Sequence, residues 1–251
     1  MIGWQKPFRG TQLNRTHPLA RGLVGAWIMN EATGEVVHDY SGNGNHGAFS
    51  GTGDPWNSDY VSFDGSGEKV AIPTMSLSAW TITIKLSGSY TSGFMLPIGG
   101  EGWSGQFMGK NDDGFRVRDS GGDVNLSSDT YVAGTIETWT VTYDGTIYKF
   151  YTNGCYVGYR AKGGRTFTLD VLGACLGSGF YFSGKIWYNY IYNRALSAEE
   201  IALLHREPYC MFTRALDIGA LLYAVPVVGG SIINQFQKAN LGVDLFNGSL
   251  I

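Results

Sequence analysis

One stretch constrains the fold more than any other: residues 137–160, with the sequence ETWTVTYDGTIYKFYTNGCYVGYR. Apolar and polar side chains alternate along it, as they do in strands that bury one face. An Asp-Gly pair and an Asn-Gly pair divide it, and such pairs readily take the positive φ values that two-residue hairpin turns require. The stretch therefore predicts three antiparallel strands joined by two tight turns.

The rest of the chain continues the pattern of short strands. It holds 37 glycines and 14% aromatic residues, a composition typical of strands joined by tight turns. Two strands are predicted around a turn at residues 64–67, and another at residues 78–86. The one predicted helix begins at Ser197, where Ser197 and Glu200 form a capping box, and Pro208 limits its length. Since strands do not alternate with helices, we predict an all-β protein.

Residues 39–47 (DYSGNGNHG) contain the spacing G-x-G-x-x-G. In dinucleotide-binding proteins this spacing lies between a strand and a helix. The residues that follow, AFSGTGDPW, cannot sustain a helix, so we expect no dinucleotide site. A tight connection between two strands is the interpretation that the residues favour, because Asp, Ser, Asn and Gly are typical turn residues.

Charge and hydropathy argue against two classes of function. The net charge is −3, which indicates no basic surface for nucleic acid. The longest apolar stretch, residues 220–233, contains Pro226 and two glycines and is short for a membrane span. Residues 1–18 lack the continuous apolar core of a secretory signal, so we expect a reducing compartment. Pairing of Cys155 with Cys175 stays open.

Four segments, taken in order, resemble laminin-G-like, concanavalin A-like domains. They are residues 23–49, 60–73, 139–158 and 184–201. The resemblance covers residues 19–212. It implies an all-β, two-sheet antiparallel jelly-roll sandwich with one short helix on its C-terminal side and with terminal arms. The alternating strands independently favour a sandwich with one buried face on each sheet.

The resemblance also implies a calcium site, because laminin-G-like domains often bind calcium at a loop on the rim of the sandwich. Calcium takes oxygen ligands from carboxylates, amide side chains and backbone carbonyls. The candidate ligands are Asp39, Asn43, Asn45 and Asp64. The alternative is a turn without metal, in which Asp39 hydrogen-bonds nearby backbone.

We expect a protein that is not an enzyme, and we assign no catalytic residue. Glycan-cleaving sandwiches place paired acids on one strand, as E-x-D-x-E, whereas the nearest fragment here has only Asp217. Glycan-binding sandwiches use exposed aromatic side chains with amides and acids nearby. The candidate glycan-binding residues are Trp56, Trp103, Asn57, Asp59 and Gln106. The alternative is that these tryptophans pack over the end of the sandwich.

The ends of the chain differ from the domain between them. Residues 1–18 form a polar, basic arm, and residues 213–251 form an apolar segment that we expect to bury itself on its own domain or another chain. Residues 15–27 and 204–212 resemble laminin-G-like proteins of tailed bacteriophages. That resemblance implies a structural virion protein (capsid decoration, head-fibre or tail-associated) assembled in the bacterial cytoplasm, docked on other virion proteins through its terminal segments, homo-oligomeric, and able to bind glycans. The alternatives are a secreted or cell-surface carbohydrate-binding module and a glycan-cleaving enzyme.

Overall fold

The computed structural model describes residues 6–52, 55–90, 94–100, 106–111, 113–128, 131–175 and 180–213. These residues form seventeen strands, one α-helix and a short 3-10 helix at Pro18–Ala20. In chain order they are β1 (Leu23–Trp27), β2 (Val36–Val37), β3 (Gly47–Ser50), β4 (Val61–Asp64), β5 (Lys69–Leu77), β6 (Trp80–Ser89), β7 (Phe94–Gly99), β8 (Phe107–Asn111), β9 (Gly114–Asp119), β10 (Gly122–Ser127), β11 (Glu137–Tyr143), β12 (Ile147–Thr152), β13 (Cys155–Ala161), β14 (Phe167–Leu172), β15 (Ala174–Cys175), β16 (Phe180–Tyr181), β17 (Ser183–Tyr192) and α1 (Ala198–Arg206).

Two large antiparallel sheets account for most of these strands. Sheet A has the order β1-β17-β6-β11-β12-β13, and β4 pairs with the first half of β17 while β1 pairs with the second half. Sheet B has the order β10-β9-β8-β7-β14-β5-β3-β2. The strands β15 and β16 form a separate small pair. The all-β, two-sheet sandwich predicted from the sequence is therefore confirmed.

The predicted three-strand meander is present as β11, β12 and β13. Val141 of β11 lies opposite Phe150 of β12 on one side and Ile82 of β6 on the other. The Asn-Gly turn adopts the left-handed conformation that its residues favour, with φ of 52° at Asn153 and 76° at Gly154. The register places the apolar members of the alternation in the core between the sheets.

The turn at residues 64–67 joins the two sheets instead of closing a hairpin. The predicted strands on either side are present, but β4 pairs in sheet A and β5 pairs in sheet B. The carboxylate of Glu68, which is buried, accepts the Asp64 N–H at 2.7 Å and fixes the crossing. Alternation alone does not distinguish the two arrangements, because each strand buries one face in either case.

The outer face of sheet A is covered by a second apolar layer. Tyr190 of β17 packs there with Ile201 and Leu204 of α1 and with Phe212. All four side chains are buried. Ile201 and Leu204 therefore form the inner face of the helix, which packs on the sheet face that points away from the core between the sheets.

The start of α1 has the capping box that the sequence predicts. Ser197 accepts the Glu200 N–H, and the Glu200 carboxylate accepts the Ser197 N–H. The same carboxylate accepts both arms of the Arg194 guanidinium, at 2.7 and 2.8 Å. This bidentate pair holds the pKa of Glu200 below its usual value. Among the described residues no helix is long and apolar enough to cross a membrane.

The cysteines of the described residues are unpaired. Cys155 is exposed at the start of edge strand β13, whereas Cys175 is buried in β15. Burial raises the pKa of the Cys175 thiol to about 12. The sequence left open whether Cys155 and Cys175 form a disulfide. In the structure both are free thiols, one exposed to solvent and the other buried.

Candidate functional site

The connection between β2 and β3 is organised by the carboxylate of Asp39, which is 7% exposed. Its Oδ1 accepts the N–H groups of Ala26 and Ser41, both at 2.8 Å. Its Oδ2 accepts the Ser41 hydroxyl at 2.7 Å and the Asn45 N–H at 2.9 Å. Each oxygen therefore holds two donors, and the carboxylate joins the connection to β1.

Two asparagines attach the same connection to β1 through their side-chain amides. Asn43 Nδ2 donates to the Leu23 carbonyl at 3.0 Å, and Asn45 Nδ2 donates to the Val24 carbonyl at 2.8 Å. The Asn45 carbonyl accepts the indole N–H of Trp27 at 3.0 Å. The sequence DYSGNGNHG thus builds a turn that is fastened along the first strand of the sandwich.

These contacts favour the turn without metal over a calcium cradle. Asp39 already holds four donors, which is the capacity of a carboxylate. Asp64 lies in a different turn, where its carboxylate accepts the N–H and hydroxyl of Ser66. No group of three or more His, Cys, Asp or Glu that could hold a metal occurs in the described part of the chain. Calcium binding stays a prediction.

The described part of the N-terminal arm is tied to the end of the domain. Leu13 bridges to Phe212, and the Asn14 N–H donates to the Met211 carbonyl at 2.8 Å. Thr213 N–H donates to the Gln12 carbonyl at 2.8 Å. The arm therefore has a defined position across the outer layer of sheet A, although its sequence shows no periodicity.

A cleft of about 460 Å³ separates this arm from the β2–β3 connection. The arm contributes residues 9–13 and 15 to its lining, and the connection contributes residues 38–40, 42 and 46. Arg15 crosses toward the connection, with its Nη2 3.4 Å from the Gly42 carbonyl. Ligand sites for small molecules are typically concave and have volumes of about 300–1,000 Å³. This cleft is the candidate functional site.

Two histidines on the connection have defined ring positions. His46 Nδ1 accepts the Asp39 N–H at 3.1 Å, so the proton of the neutral ring lies on Nε2. His38 Nδ1 lies 3.4 Å from Oε1 of Glu31, and that oxygen also accepts the His38 N–H at 2.7 Å. Glu31 is fully buried. The ring centroids of His38 and His46 are 5.6 Å apart in an edge-to-face arrangement.

Tyr40 gives the cleft an aromatic wall. Its hydroxyl donates to Asn30 Oδ1 at 3.0 Å, and burial raises the pKa of the phenol above its usual value. Its ring packs edge-to-face on Phe212, with centroids 6.3 Å apart. The side chain is half-buried, so part of it faces the cleft.

The sequence-predicted glycan residues that the structure describes lie outside the lining of this cleft. Trp56 is half-buried, bridges to Val61 of β4, and donates its indole N–H to the Gly34 carbonyl at 2.5 Å. Its ring packs against Phe49 of β3, with centroids 6.3 Å apart. It therefore packs against the sandwich, as the alternative interpretation has it. Trp103 lies outside the described residues.

Three further candidates are placed by backbone contacts. Asn57 Oδ1 accepts the N–H of Asp59 at 3.2 Å in an exposed turn, and the Asp59 carbonyl accepts the ammonium of Lys6. Gln106 Oε1 accepts the Thr168 N–H of β14 at 2.7 Å, so this amide is attached to sheet B. Binding of glycans at these residues stays a prediction.

Two acids of the sandwich, the buried Asp119 and the partly exposed Glu137, are engaged in structural contacts. Asp119 pairs with Arg165 at 2.7 Å and accepts the hydroxyl of Tyr148. Glu137 accepts the indole N–H of Trp139 at 2.6 Å and lies 3.4 Å from the ammonium of Lys110. Through these contacts both carboxylates stabilise the fold.

Comparison with known proteins fits this architecture. Residues 52–202, more than half of the chain, match the family model described as the concanavalin A-like lectin/glucanases superfamily. The chain belongs to that superfamily. No curated protein sequence matches it at a significant level.

Solved structures similar to this member of the superfamily include carbohydrate-active proteins. Trypanosoma rangeli sialidase in complex with the inhibitor DANA has a TM-score of 0.57 and 14% identity, over 76% of this chain and 34% of the sialidase chain. The match thus spans about one third of the sialidase. Domain 4 of AbnA, a GH43 extracellular arabinanase from Geobacillus stearothermophilus, in complex with arabinotriose, has a TM-score of 0.57 and 15% identity, over 73% of this chain and 98% of that domain. At these identities the likeness shows the fold.

Sequence patterns did not single out the cleft. Arg9, Arg15, His38 and His46 are scattered along the chain and match no spacing motif. The available signal was the basic character of the arm, and nothing in the sequence showed that residues 211–213 hold that arm against the turn.

Proposed function

We propose that this protein is a non-catalytic carbohydrate-binding module and that the cleft between the N-terminal arm and the β2–β3 connection is its binding site. The observation that carries the proposal is the cleft itself, which combines about 460 Å³ of space with an aromatic wall and several hydrogen-bonding side chains. A sugar needs this combination, because its ring faces pack on aromatic groups while its hydroxyls need donors and acceptors.

The superfamily and its structural neighbours support a carbohydrate ligand. The arabinanase domain, which matches over almost its whole length, was solved with arabinotriose. The proposal that this chain does not cleave glycans is supported by the contacts of Asp39, Asp119 and Glu137, whose carboxylates are engaged in the fold. A glycan-cleaving enzyme is the alternative, and release of reducing sugar from any bound polysaccharide would establish it.

Screening the full chain on a glycan array, followed by titration of the hits, tests the binding proposal. Gln12→Trp places a large side chain in the cleft while leaving the backbone bonds of the arm available. We expect it to abolish binding, whereas Asn125→Trp, at an exposed position of β10, retains it. Loss of binding in Trp56→Ala with normal binding in Gln12→Trp would move the site to Trp56. Absence of any hit would refute the proposal.

We further propose that the module belongs to a structural virion protein of a tailed bacteriophage, attached through its terminal segments and homo-oligomeric. The support is the resemblance at residues 15–27 and 204–212 together with the apolar composition of residues 213–251, of which residues 214–251 lie outside the described residues. Mass spectrometry of purified particles tests this, since the protein should be found in them. Deletion of residues 214–251 should leave a folded sandwich that no longer assembles, and retained assembly would contradict the proposal.

A further inference from the structure

The charged side chains that line the cleft are mostly positive. Arg9 and Arg15 contribute two permanent positive charges, and the imidazole rings of His38 and His46 also line the cleft. The carboxylate in the lining is that of Asp39, and its two oxygens are already surrounded by four N–H and O–H donors. The free hydrogen-bonding capacity of the cleft is therefore mainly that of donors.

The histidine geometry strengthens this donor character. Because His46 Nδ1 accepts the Asp39 N–H, the nitrogen left for a ligand, Nε2, carries the proton. Behind His38 lies the buried carboxylate of Glu31. Neither Glu31 Oε2 nor His38 Nδ1 has a hydrogen-bond partner among the described residues. The Nδ1 side of the His38 ring is turned toward Glu31, with Nδ1 3.4 Å from Oε1, so Nε2 is the ring nitrogen left for a ligand.

From this arrangement we infer that the cleft binds an anionic group (a carboxylate, sulfate or phosphate) carried by an acidic saccharide. The inference rests on the proposed carbohydrate-binding function and specifies the class of sugar. Guanidinium groups suit such ligands because their planar N–H pairs match the oxygens of these anions. The aromatic wall of Tyr40 would then contact the sugar ring while Arg9, Arg15 and His46 contact the charge.

A double substitution with a charge-matched control tests the inference. Arg9→Gln/Arg15→Gln removes two positive charges from the cleft, and Arg160→Gln/Arg206→Gln removes two from exposed positions outside its lining. Titration of each with matched pairs of neutral and acidic oligosaccharides gives the dissociation constants. We expect the cleft variant to bind the acidic member about 10-fold or more weakly and the control to bind it normally. Binding of the acidic member should also weaken as salt is raised, because exposed charges are screened.

The outcomes separate this inference from the proposed function. Equal binding of neutral and acidic members, unaffected by the double substitution, would overturn the inference and leave carbohydrate binding in place. Carboxylated, sulfated and phosphorylated members of the set identify which anion is preferred. Inorganic sulfate and phosphate are titrated as well. These anions could bind in an Arg9- and Arg15-dependent manner while no saccharide binds. That result would overturn the claim that the ligand is a saccharide and would leave only a binding site for small anions. Failure of all ligands overturns both proposals.

Discussion

Asp39 offers the sharpest test of how the β2–β3 connection is built. Asp39→Ala removes the acceptor of three N–H groups and one hydroxyl. Two of the N–H groups belong to Ala26 and Ser41, which are 0% and 1% exposed, so water cannot replace the carboxylate there. A buried donor left without a partner costs about 1–3 kcal/mol. For these two donors we expect the free energy of unfolding to fall by about 4 kcal/mol.

Urea unfolding followed by tryptophan fluorescence measures this change. Asp113→Ala is the control, because that carboxylate is 82% exposed and its removal should leave stability unchanged. Each protein is measured with calcium and with a chelator. We expect the wild-type midpoint to be the same in both conditions, since four protein donors already bond to the Asp39 oxygens.

Two results would refute this reasoning. A loss below about 1 kcal/mol in Asp39→Ala would mean that the connection finds other partners for its buried amides. A wild-type protein that loses stability in chelator, by an amount that Asp39→Ala abolishes, would show that the carboxylate is a calcium ligand. That result would confirm the calcium site predicted from the sequence.

Three further predictions concern the sandwich. Arg165→Met leaves the buried carboxylate of Asp119 without its cation and should lower the free energy of unfolding by about 3 kcal/mol; an unchanged urea midpoint would contradict the pairing. Alkylation of the native protein, located by mass spectrometry, should modify the exposed Cys155 and spare Cys175, whose thiol is buried and has a pKa of about 12; equal labelling would show that β15 opens. The pKa of Glu200 is lowered in the fold by its bidentate guanidinium partner, so its stabilising effect is present above the ordinary carboxyl pKa and disappears as pH falls through the lowered value. Glu200→Gln should therefore destabilise the protein at pH 7 but not under strongly acidic conditions, and a pH-independent difference would exclude this origin.

Much of the fold could be predicted because apolar and polar side chains alternate along many of the strands. The meander of β11, β12 and β13 and the capping box at Ser197 follow from local patterns, whereas the two-sheet sandwich was implied by the family resemblance. The crossing at residues 64–67 did not follow. Whether β4 and β5 pair with each other or with other strands depends on partners far away in the sequence, and the alternation of side chains is the same in both cases.

The candidate site was less accessible to sequence reasoning, for a physical reason. Asp39 and Asn45 were singled out as oxygen ligands, yet what their side chains do depends on the nearby position of β1, whose backbone they bind. The arginines of the cleft lie on an irregular arm, and without periodicity the sequence does not indicate in which direction their side chains point. Their position is set by residues 211–213, about two hundred positions away in the chain.

The pairing of the arm with residues 211–213 also has a mechanical consequence. Because Gln12 and Thr213 run antiparallel, a force applied to the chain beyond Thr213 would load their hydrogen bonds one after another, as in unzipping, instead of all at once. The bonds of Thr213 to Thr11 and Gln12 would yield first, and these two residues line the cleft. Tension on the chain would therefore release the part of the arm that lines the cleft before it disturbs the sandwich behind it.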